Sequence, residues 1–366
     1  MSGRVINFSA GPSALPVEIF PALERGIRYA DAEIGVMELS HRSPEYEAIH
    51  ADARERLRRL LAVPESHEIL LMQGGATQQF GQIAMQFGPG AYVVNGSWGE
   101  KAYEAARAWH GDRVRRRTVG APDYRESWSP SDGDDFGGDD RSGQCAYRHM
   151  TTNETIQGVQ TREDPDRPAV ADMSSDILTR RLDWSRYRLA YAGAQKNLGP
   201  SGVTVVVIER EFMADERADV PEYFRYGAHA KAGSLLNTPP TWSIFVLREV
   251  LRHWESVGGI AHLEAQAVAR SERLYGIIDA SEGFFEGHAR PWARSRMNVT
   301  FRLPSPELTR AFLTGAEAQG MVGLAGHRSV GGVRASLYNA CPMEWVEALG
   351  EWMTEFVRRP GSRVTA

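Results

Sequence analysis

The stretch YAGAQKNLGPSG, residues 191–202, places a single lysine, Lys196, between two segments that have the composition of buried strands. The run before it, RLAYAG, and the run after it, VTVVVIE, carry few charges and many apolar residues. A lysine at such a junction is partly desolvated, and desolvation favours the neutral amine, which is a nucleophile toward aldehydes. Most lysines, however, keep the ammonium group in water at a loop, so this stretch alone leaves both interpretations open.

Around this lysine the chain alternates short apolar runs with helical stretches. We predict strands from the runs EILLMQGG, AYVVNGSWG, PAVADMSS, LAYAGAQK and VTVVVIER. Between them, EYEAIHADARERLRRLLAV and EKAYEAARAWHG carry charges on one helical face and Leu or Ala on the other. Strands separated by helices predict βαβ units and an α/β fold with a largely parallel sheet flanked by helices. Ligands bind such sheets at the carboxyl ends of the strands, where we expect Gln73, Asn95, Asp172 and Lys196 to lie.

The composition is that of an ordinary globular protein. The chain has 366 residues, is 42% hydrophobic and 24% charged, and has a net charge of -5, which indicates neither a nucleic-acid nor a membrane partner. Cys145 and Cys341 form no CxxC motif, so we expect neither a disulfide framework nor a cysteine-rich metal site. The sequence shows no signal peptide and no run of the roughly 18 apolar residues that a spanning helix needs. We therefore expect a cytoplasmic enzyme.

Two regions depart from the alternating pattern. From about residue 256 onward, MNVTFRLP, GMVGLAGHRSVGGVRASLY and a closing helix at residues 343–358 predict a smaller α+β domain. Residues 120–143 are rich in Asp, Gly and Ser, which predicts an exposed, mobile excursion. Because the aspartates in this segment do not follow EF-hand spacing, no calcium loop is predicted.

Asp172 closes the apolar run PAVAD, 24 residues before Lys196. A carboxylate at a strand end can simply cap the following turn. Alternatively, it can keep a pyridinium nitrogen protonated while Lys196 forms a Schiff base with the aldehyde of pyridoxal phosphate. A protonated pyridine is an electron sink, so the two residues together would stabilise the carbanion that forms when a substrate α-proton leaves.

Three other positions fit that chemistry. The run from Gly74 to Thr77 ends a strand and begins the helix ATQQFGQIAMQF, whose amino end can hold a phosphate, although most such glycine turns only reverse the chain. Trp98 follows the next strand and can either stack on a pyridine ring or pack between domains. Thr155, in NETIQG, can donate a hydrogen bond to the phenolic oxygen of the cofactor or serve as a turn residue.

Cationic side chains suited to an anionic substrate lie in two places. His41 and Arg42 precede an amphipathic helix, and His327 and Arg328 are followed six residues later by Arg334. Arginine forks match carboxylate and phosphate geometry. In the glycine-flanked run GHRSVGGVR, they favour a site for a doubly charged ligand over a solvated face.

Several longer motifs carry a resemblance to a known family. They are NFSAGPSALP, VMELSHRSPEY, GGATQQF, NETIQG, ADMSSDILTR, YAGAQKNLGPSG, LLNTPPT, SRMNVTF and GHRSVGGVRASLYNA. Through them the sequence resembles, nearly from end to end, the phosphoserine aminotransferases, a class-V family of fold-type I pyridoxal-phosphate enzymes. The resemblance implies a large domain at residues 16–255 with a mostly parallel, seven-stranded mixed sheet. It also implies a small α+β domain formed by residues 1–15 and 256–366.

The resemblance further implies the substrates, the assembly and the site. The substrates are glutamate and 3-phosphohydroxypyruvate, and the enzyme is a homodimer with shared active sites. Catalysis falls to Lys196 and Asp172, and no metal is required. Residues expected to bind the cofactor are Ala76, Thr77, Trp98, Thr155, Asp172, Gln195 and Lys196, together with Asn237 and Thr238 from the other subunit. Residues expected to bind substrate are Arg334, on the α-carboxylate, and His41, Arg42, His327 and Arg328, on the phosphate or side carboxylate.

The sequence departs from the family pattern at two motifs and leaves alternatives open. QGGAT replaces an HGG beginning and TTNET replaces CPNET, but the small and hydroxyl residues are kept. A desulfurase or lyase on the same fold would need a nucleophilic cysteine, for which Cys145 is the candidate. An alanine-glyoxylate-type aminotransferase and an inactive binding protein of the same fold are further alternatives. Use of 4-phosphohydroxythreonine, a substrate in vitamin B6 synthesis, is expected but not decided by the sequence.

Overall fold

A computed structural model describes residues 5–28, 34–129 and 145–359 of the chain. Its strands are β1 (Ile6–Asn7), β2 (His67–Gly74), β3 (Ala91–Val94), β4 (Arg115–Thr118), β5 (Arg148–Thr151), β6 (Asn153–Glu154), β7 (Val159–Gln160), β8 (Ala169–Asp172), β9 (Tyr187–Gly193), β10 (Gly202–Glu209), β11 (Glu286–Gly287), β12 (Asn298–Arg302), β13 (Met321–Val322) and β14 (Val333–Ser336). Its α-helices are α1 (Phe20–Arg28), α2 (Pro44–Leu61), α3 (Ala76–Phe87), α4 (Ser97–His110), α5 (Arg210–Ala214), α6 (Tyr226–Lys231), α7 (Thr241–Ser256), α8 (Gly259–Asp279), α9 (Pro306–Ala318) and α10 (Met343–Arg358). None of these described helices combines the length and the apolar character needed to cross a bilayer.

Seven strands form the central sheet, in the order β2-β10-β9-β8-β5-β3-β4. Strand β10 is antiparallel to both of its neighbours, whereas the other described strands of this sheet run in one direction. The prediction of an α/β fold with a mostly parallel mixed sheet is thereby confirmed. The carboxyl ends of β2, β3, β5, β8 and β9 and the amino end of β10 consequently meet at one edge of the sheet.

Both faces of the sheet are buried, which explains the continuous apolar runs in the sequence. Along β2, Ile69 and Leu71 belong to one buried cluster, and Leu70 and Met72 belong to another on the opposite face. Successive side chains of a strand point to opposite faces, so such a strand needs apolar residues at every position. Helices α2 and α7 cover the first face, and α3 and α4 cover the second.

A separate core lies between the three-stranded sheet β11-β12-β14 and helices α8, α9 and α10. Phe301, Phe312, Trp352 and Phe356 form its aromatic centre, with ring centroids 5.2–6.0 Å apart in the contacting pairs. Phe8 joins this core because β1 pairs in parallel with β13. The separate cores are consistent with the division at residues 1–15, 16–255 and 256–366, which stays a prediction.

Two features of the chain differ from the sequence-based expectations. Strand β5, with the sequence RHMT, lies in the middle of the central sheet, although it was not among the runs from which the sheet was predicted. It is fully buried because Arg148 pairs with Asp166 and lies over the ring of Trp128, 5.0 Å from its centroid. Trp128 is only 2% exposed, and its neighbour Ser127 is also buried. The expectation of an exposed excursion is therefore wrong at these two residues. Residues 130–143 of that predicted segment lie outside the described residues.

Candidate active site

A cavity of about 280 Å³ opens at the edge of the sheet where the carboxyl ends of the parallel strands meet. It brings together nine of the side chains that the sequence singled out, namely Ala76, Thr77, Trp98, Thr155, Asp172, Gln195, Lys196, His327 and Arg334. The strand ends supply most of these residues, and β14 and the turn before it supply the last two. The roles assigned to the individual side chains stay predictions.

Asp172 is the last residue of β8, and Lys196 lies in the turn that follows the neighbouring strand β9. Asp172 is 5% exposed, and its Oδ1 accepts a hydrogen bond from Ser174 N at 2.9 Å. The backbone of the lysine is fixed by the N-terminal segment, since Ser13 Oγ donates to the carbonyl oxygen of Lys196 at 2.6 Å. The lysine side chain itself is half-buried and lines the cavity.

The charges of this pair are set by burial and by mutual attraction. Burial lowers the pKa of Lys196, while the charges of Asp172 and Glu154 oppose that shift. Burial likewise raises the pKa of Asp172, and the charge of Lys196 opposes it. The lysine therefore loses its proton more readily than an exposed lysine does, as a nucleophilic amine requires.

The first turn of α3 provides an anion-binding cradle. Gly75 precedes the helix without a side-chain cap, and the first turn carries no acidic residue. A Cβ added to Gly75 would meet no atom within 4 Å, so the backbone is open there. Peptide N–H groups at a helix amino end attract phosphate, which agrees with the contacts predicted for Ala76 and Thr77.

Trp98 lies on the first turn of α4 with its ring in the cavity wall. Its Nε1 donates to Thr155 Oγ1 at 2.9 Å, and Lys196 Nζ lies 5.7 Å from the centroid of its ring. Lys101, one helical turn further along, places Nζ 4.1 Å from the same ring centroid. The indole is thus held at its edge by a hydrogen bond, and two lysine ammonium groups lie within about 6 Å of its ring centroid.

Glu154 is a residue of the site that sequence reasoning missed. It is fully buried, and its two carboxylate oxygens accept from Trp98 N at 2.9 Å and Gly99 N at 2.6 Å. Burial raises the pKa of Glu154 from 4.5 to about 7, although the two N–H donors and Lys196 act in the opposite direction. Glu154 belongs to the motif NETIQG, but from this motif only Thr155 was predicted to contact the cofactor.

Two basic side chains, Arg334 of β14 and His327 of the turn before it, line the cavity. Arg334 Nη1 donates to the carbonyl oxygen of Thr155 at 3.2 Å, while its Nε is buried without a hydrogen-bond partner among the described residues. His327 Nδ1 lies 2.8 Å from Ser329 Oγ. Burial, together with the charges of Arg334, Arg328 and Lys101, lowers the pKa of His327. The region carries positive potential with donor groups left for an anion.

The remaining predicted residues do not line the cavity of this single chain. They are His41, Arg42, Asn237, Thr238 and Arg328. Arg42, Thr238 and Arg328 are exposed, and the buried Nε2 of His41 has no partner among the described residues. The carbonyl oxygen of Thr238 accepts from Gln73 Nε2 at 2.6 Å. The contribution of Asn237 and Thr238 to the site of a second subunit stays a prediction.

Comparison with known proteins identifies the family to which the chain belongs. The family described as "Aminotransferase class-V" matches residues 157–349. The phosphoserine aminotransferase of Geobacillus kaustophilus (strain HTA426) is 46% identical over 369 residues, covering 97% of this chain and 99% of the relative. The chain belongs to the phosphoserine aminotransferase family. A solved phosphoserine aminotransferase from Bacillus circulans subsp. alkalophilus superimposes with a TM-score of 0.92 at 42% identity, covering 97% of this chain and 99% of that one.

The cofactor of this phosphoserine aminotransferase family member is pyridoxal phosphate. A solved phosphoserine aminotransferase from Trichomonas vaginalis, described as PLP bound, matches with a TM-score of 0.88 at 32% identity, covering 96% of this chain and 100% of that one. The residues of the cavity fit the group. They offer a half-buried amine for its aldehyde, a buried carboxylate for its ring nitrogen and an uncapped helix amino end for its phosphate.

Proposed function

We propose that this chain catalyses the reversible transfer of an amino group between glutamate and 3-phosphohydroxypyruvate, giving 2-oxoglutarate and O-phosphoserine. The proposal is supported by one observation: Lys196, Asp172 and Arg334 line the same cavity, and Nε of Arg334 has no hydrogen-bond partner among the described residues. The first two residues suit transamination chemistry, and the third suits an amino acid carboxylate. We include 4-phosphohydroxythreonine as a further substrate, because it carries the same two kinds of anion.

The residues of the chain divide the work of the reaction. Pyridoxal phosphate supplies an electrophilic aldehyde and an electron sink when bound. Lys196 would hold the cofactor through its Nζ and, as a neutral amine, would serve as the base that moves the proton of the substrate α-carbon. Asp172 keeps a proton on the ring nitrogen, where burial strengthens the attraction between the two charges.

The substrate is bound through two anionic groups, its α-carboxylate and its distal phosphate or carboxylate. Arg334 takes the α-carboxylate through the donor atoms that Thr155 leaves free, and the carbonyl of Thr155 fixes the guanidinium plane. His327 meets the distal phosphate or carboxylate together with Arg328, His41 and Arg42. Burial and then the surrounding cations lower the pKa of His327, and the negative charge of an arriving dianion would oppose both effects and make the imidazole a better donor.

We propose a homodimer in which Asn237 and Thr238 complete the cofactor site of the second copy. The test mixes two inactive subunits, Lys196→Ala and the double variant Asn237→Ala with Thr238→Ala. A shared site predicts that each mixed dimer has one intact site of two, so that an equal mixture with random association regains about a quarter of the native activity. If the mixture stays inactive while size-exclusion chromatography shows mixed dimers, the site is not shared in this way.

The experiment for the main proposal follows the cofactor absorbance of the holoenzyme after separate additions of O-phosphoserine, serine and alanine. We expect rapid loss of the yellow band with O-phosphoserine and much slower loss with the other two. A faster response to alanine would refute the phosphate-selecting site and leave the cofactor assignment intact. A desulfurase is disfavoured, because burial raises the pKa of Cys145 and this thiol does not line the cavity.

A further inference from the structure

The segment that follows β5 surrounds the amino end of α4 at three successive residues. Ser97 N donates to Gln157 Oε1 at 3.3 Å, and Gln157 Nε2 donates in return to Ser97 Oγ at 2.7 Å. Trp98 N and Gly99 N both donate to the carboxylate of Glu154. These bonds satisfy N–H groups that a helix leaves without intrahelical partners. The start of α4 is therefore fixed by side chains 55 to 60 residues away in sequence.

Glu154 replaces the cap that α4 does not have of its own. The residue before the helix is Gly96, which provides no side-chain hydrogen bond. A Cβ at Gly96 would lie 2.3 Å from both Cγ and Cδ of Glu154, so the glutamate occupies the space that a capping side chain would need. Glu154 is 0% exposed, and the carboxylate is therefore confined to this one arrangement.

The same segment reaches both sides of the cavity. Glu154 fixes the backbone of Trp98, Thr155 Oγ1 accepts from the indole Nε1, and the carbonyl of Thr155 accepts from Arg334. An indole held at its backbone and at its ring nitrogen has one orientation left. We infer that Glu154 is a positioning residue for the cofactor, acting through Trp98 by setting the angle of the indole ring in the cavity. The inference rests on the proposed stacking of Trp98 on the cofactor.

The experiment is a double-mutant cycle with Glu154→Gln and Trp98→Ala. Glutamine keeps the volume of the glutamate, but its amide nitrogen faces one of the two N–H donors, so one hydrogen bond becomes a repulsion. Two properties are measured for each variant: the dissociation constant of pyridoxal phosphate, by titration of the apoprotein, and the circular dichroism of the cofactor band in the holoenzyme. Glu68→Gln is the matched control, because it removes a buried carboxylate at the far end of β2.

Loss of one helix cap corresponds to roughly fivefold in an equilibrium constant. We expect Glu154→Gln to weaken cofactor binding by about that factor and to change the cofactor circular dichroism, with Glu68→Gln changing neither. In the Trp98→Ala background, Glu154→Gln should have no further effect on either property. Glu154→Ala serves as the second variant and should show the same dependence on Trp98.

The outcomes separate the inference from the proposal beneath it. If Trp98→Ala leaves the dichroism and affinity unchanged, the stacking role fails, and this inference fails with it. If Trp98→Ala changes both while Glu154→Gln only lowers the melting temperature, Glu154 is a structural cap and the inference alone is refuted. Equal effects of Glu154→Gln in the presence and absence of Trp98 would also overturn it, because the glutamate would then act by another route.

Discussion

Replacing Glu154 by glutamine is expected to change how the stability of the protein depends on pH. Burial raises the pKa of Glu154 in the folded chain to about 7, against 4.5 for the unfolded chain. A raised pKa means that the folded state holds the proton more tightly. The resulting stabilisation is fully present below pH 4.5 and is lost as the pH rises through 7. Glutamine has no such proton to lose.

The size of the effect follows from the difference between the two pKa values. A shift of about 2.5 units, from 4.5 to 7, corresponds to about 3 kcal/mol at about 1.4 kcal/mol per unit. Between pH 5 and pH 8, the free energy of unfolding of Glu154→Gln should therefore rise by about 2 to 3 kcal/mol relative to that of the native protein. The variant starts from a lower value at pH 5, because it loses one of the bonds to Trp98 and Gly99.

The assay is urea unfolding of the apoprotein at pH 5, 6, 7 and 8, so that the cofactor makes no contribution. Asp166→Asn is the control. Burial raises the pKa of Asp166, but its hydrogen bond to Arg148 and the charge of Arg148 outweigh this and lower it below 3.8. A lowered pKa gives stability that is lost only as the pH falls toward that range, so this variant should keep a constant offset from the native protein between pH 5 and pH 8.

One result would refute the reasoning. If Glu154→Gln and the native protein show parallel stability curves from pH 5 to pH 8, the carboxylate is ionised throughout this range. The two peptide N–H donors would then outweigh the burial of the side chain. Protonation of Glu154 would have no place in the behaviour of the site.

Three further predictions concern single side chains. Lys196→Ala should abolish transamination, measured as O-phosphoserine formed from glutamate and 3-phosphohydroxypyruvate, yet still bind pyridoxal phosphate reversibly; retained turnover would contradict its role. Arg334→Ala should lower kcat/KM by more than about 100-fold for O-phosphoserine and alanine alike, whereas Arg42→Ala should do so mainly for O-phosphoserine, and equal losses in Arg42→Ala would oppose that division. Gly96→Ala should lower stability by about 1 to 3 kcal/mol, because the new Cβ overlaps Glu154; an unchanged melting temperature would show that the glutamate moves aside.

The sequence predicted those helices and strands in which apolar residues recur in the regular pattern of a helix or of a buried strand. The closing helix at residues 343–358 coincides with α10, and the strand runs ending near Asp172 and Lys196 coincide with β8 and β9. Strand β5 could not be predicted in this way, because its arginine and histidine resemble surface residues. Their burial depends on partners far along the chain: Asp166 for the arginine and Tyr191 for the histidine, whose Nε2 lies 2.8 Å from the tyrosine hydroxyl.

The candidate site was predicted to the extent that its chemistry depends on residue type. The amine of Lys196 and the carboxylate of Asp172 suggest their roles by their chemistry, as a Schiff-base nucleophile and as a partner of the pyridinium nitrogen. The cavity contains both side chains. Glu154 gave no such indication, because it contacts α4 through peptide N–H groups that every residue possesses. The proposed contacts of Asn237 and Thr238 with a second copy also lie beyond patterns within one chain, since they would depend on how two folded surfaces meet.

The attachment of the N-terminal segment determines when the lysine site can be finished during synthesis. Ser13 binds the carbonyl of Lys196, and the strand just before Ser13 pairs with Met321 and Val322. Ile6 is made about 315 residues before its partner Met321, an interval of roughly 15 to 60 s at about 5 to 20 residues per second. The nascent chain therefore carries β1 without its partner until Met321 and Val322 have been made. A product that ends before Met321 has no pairing partner for β1.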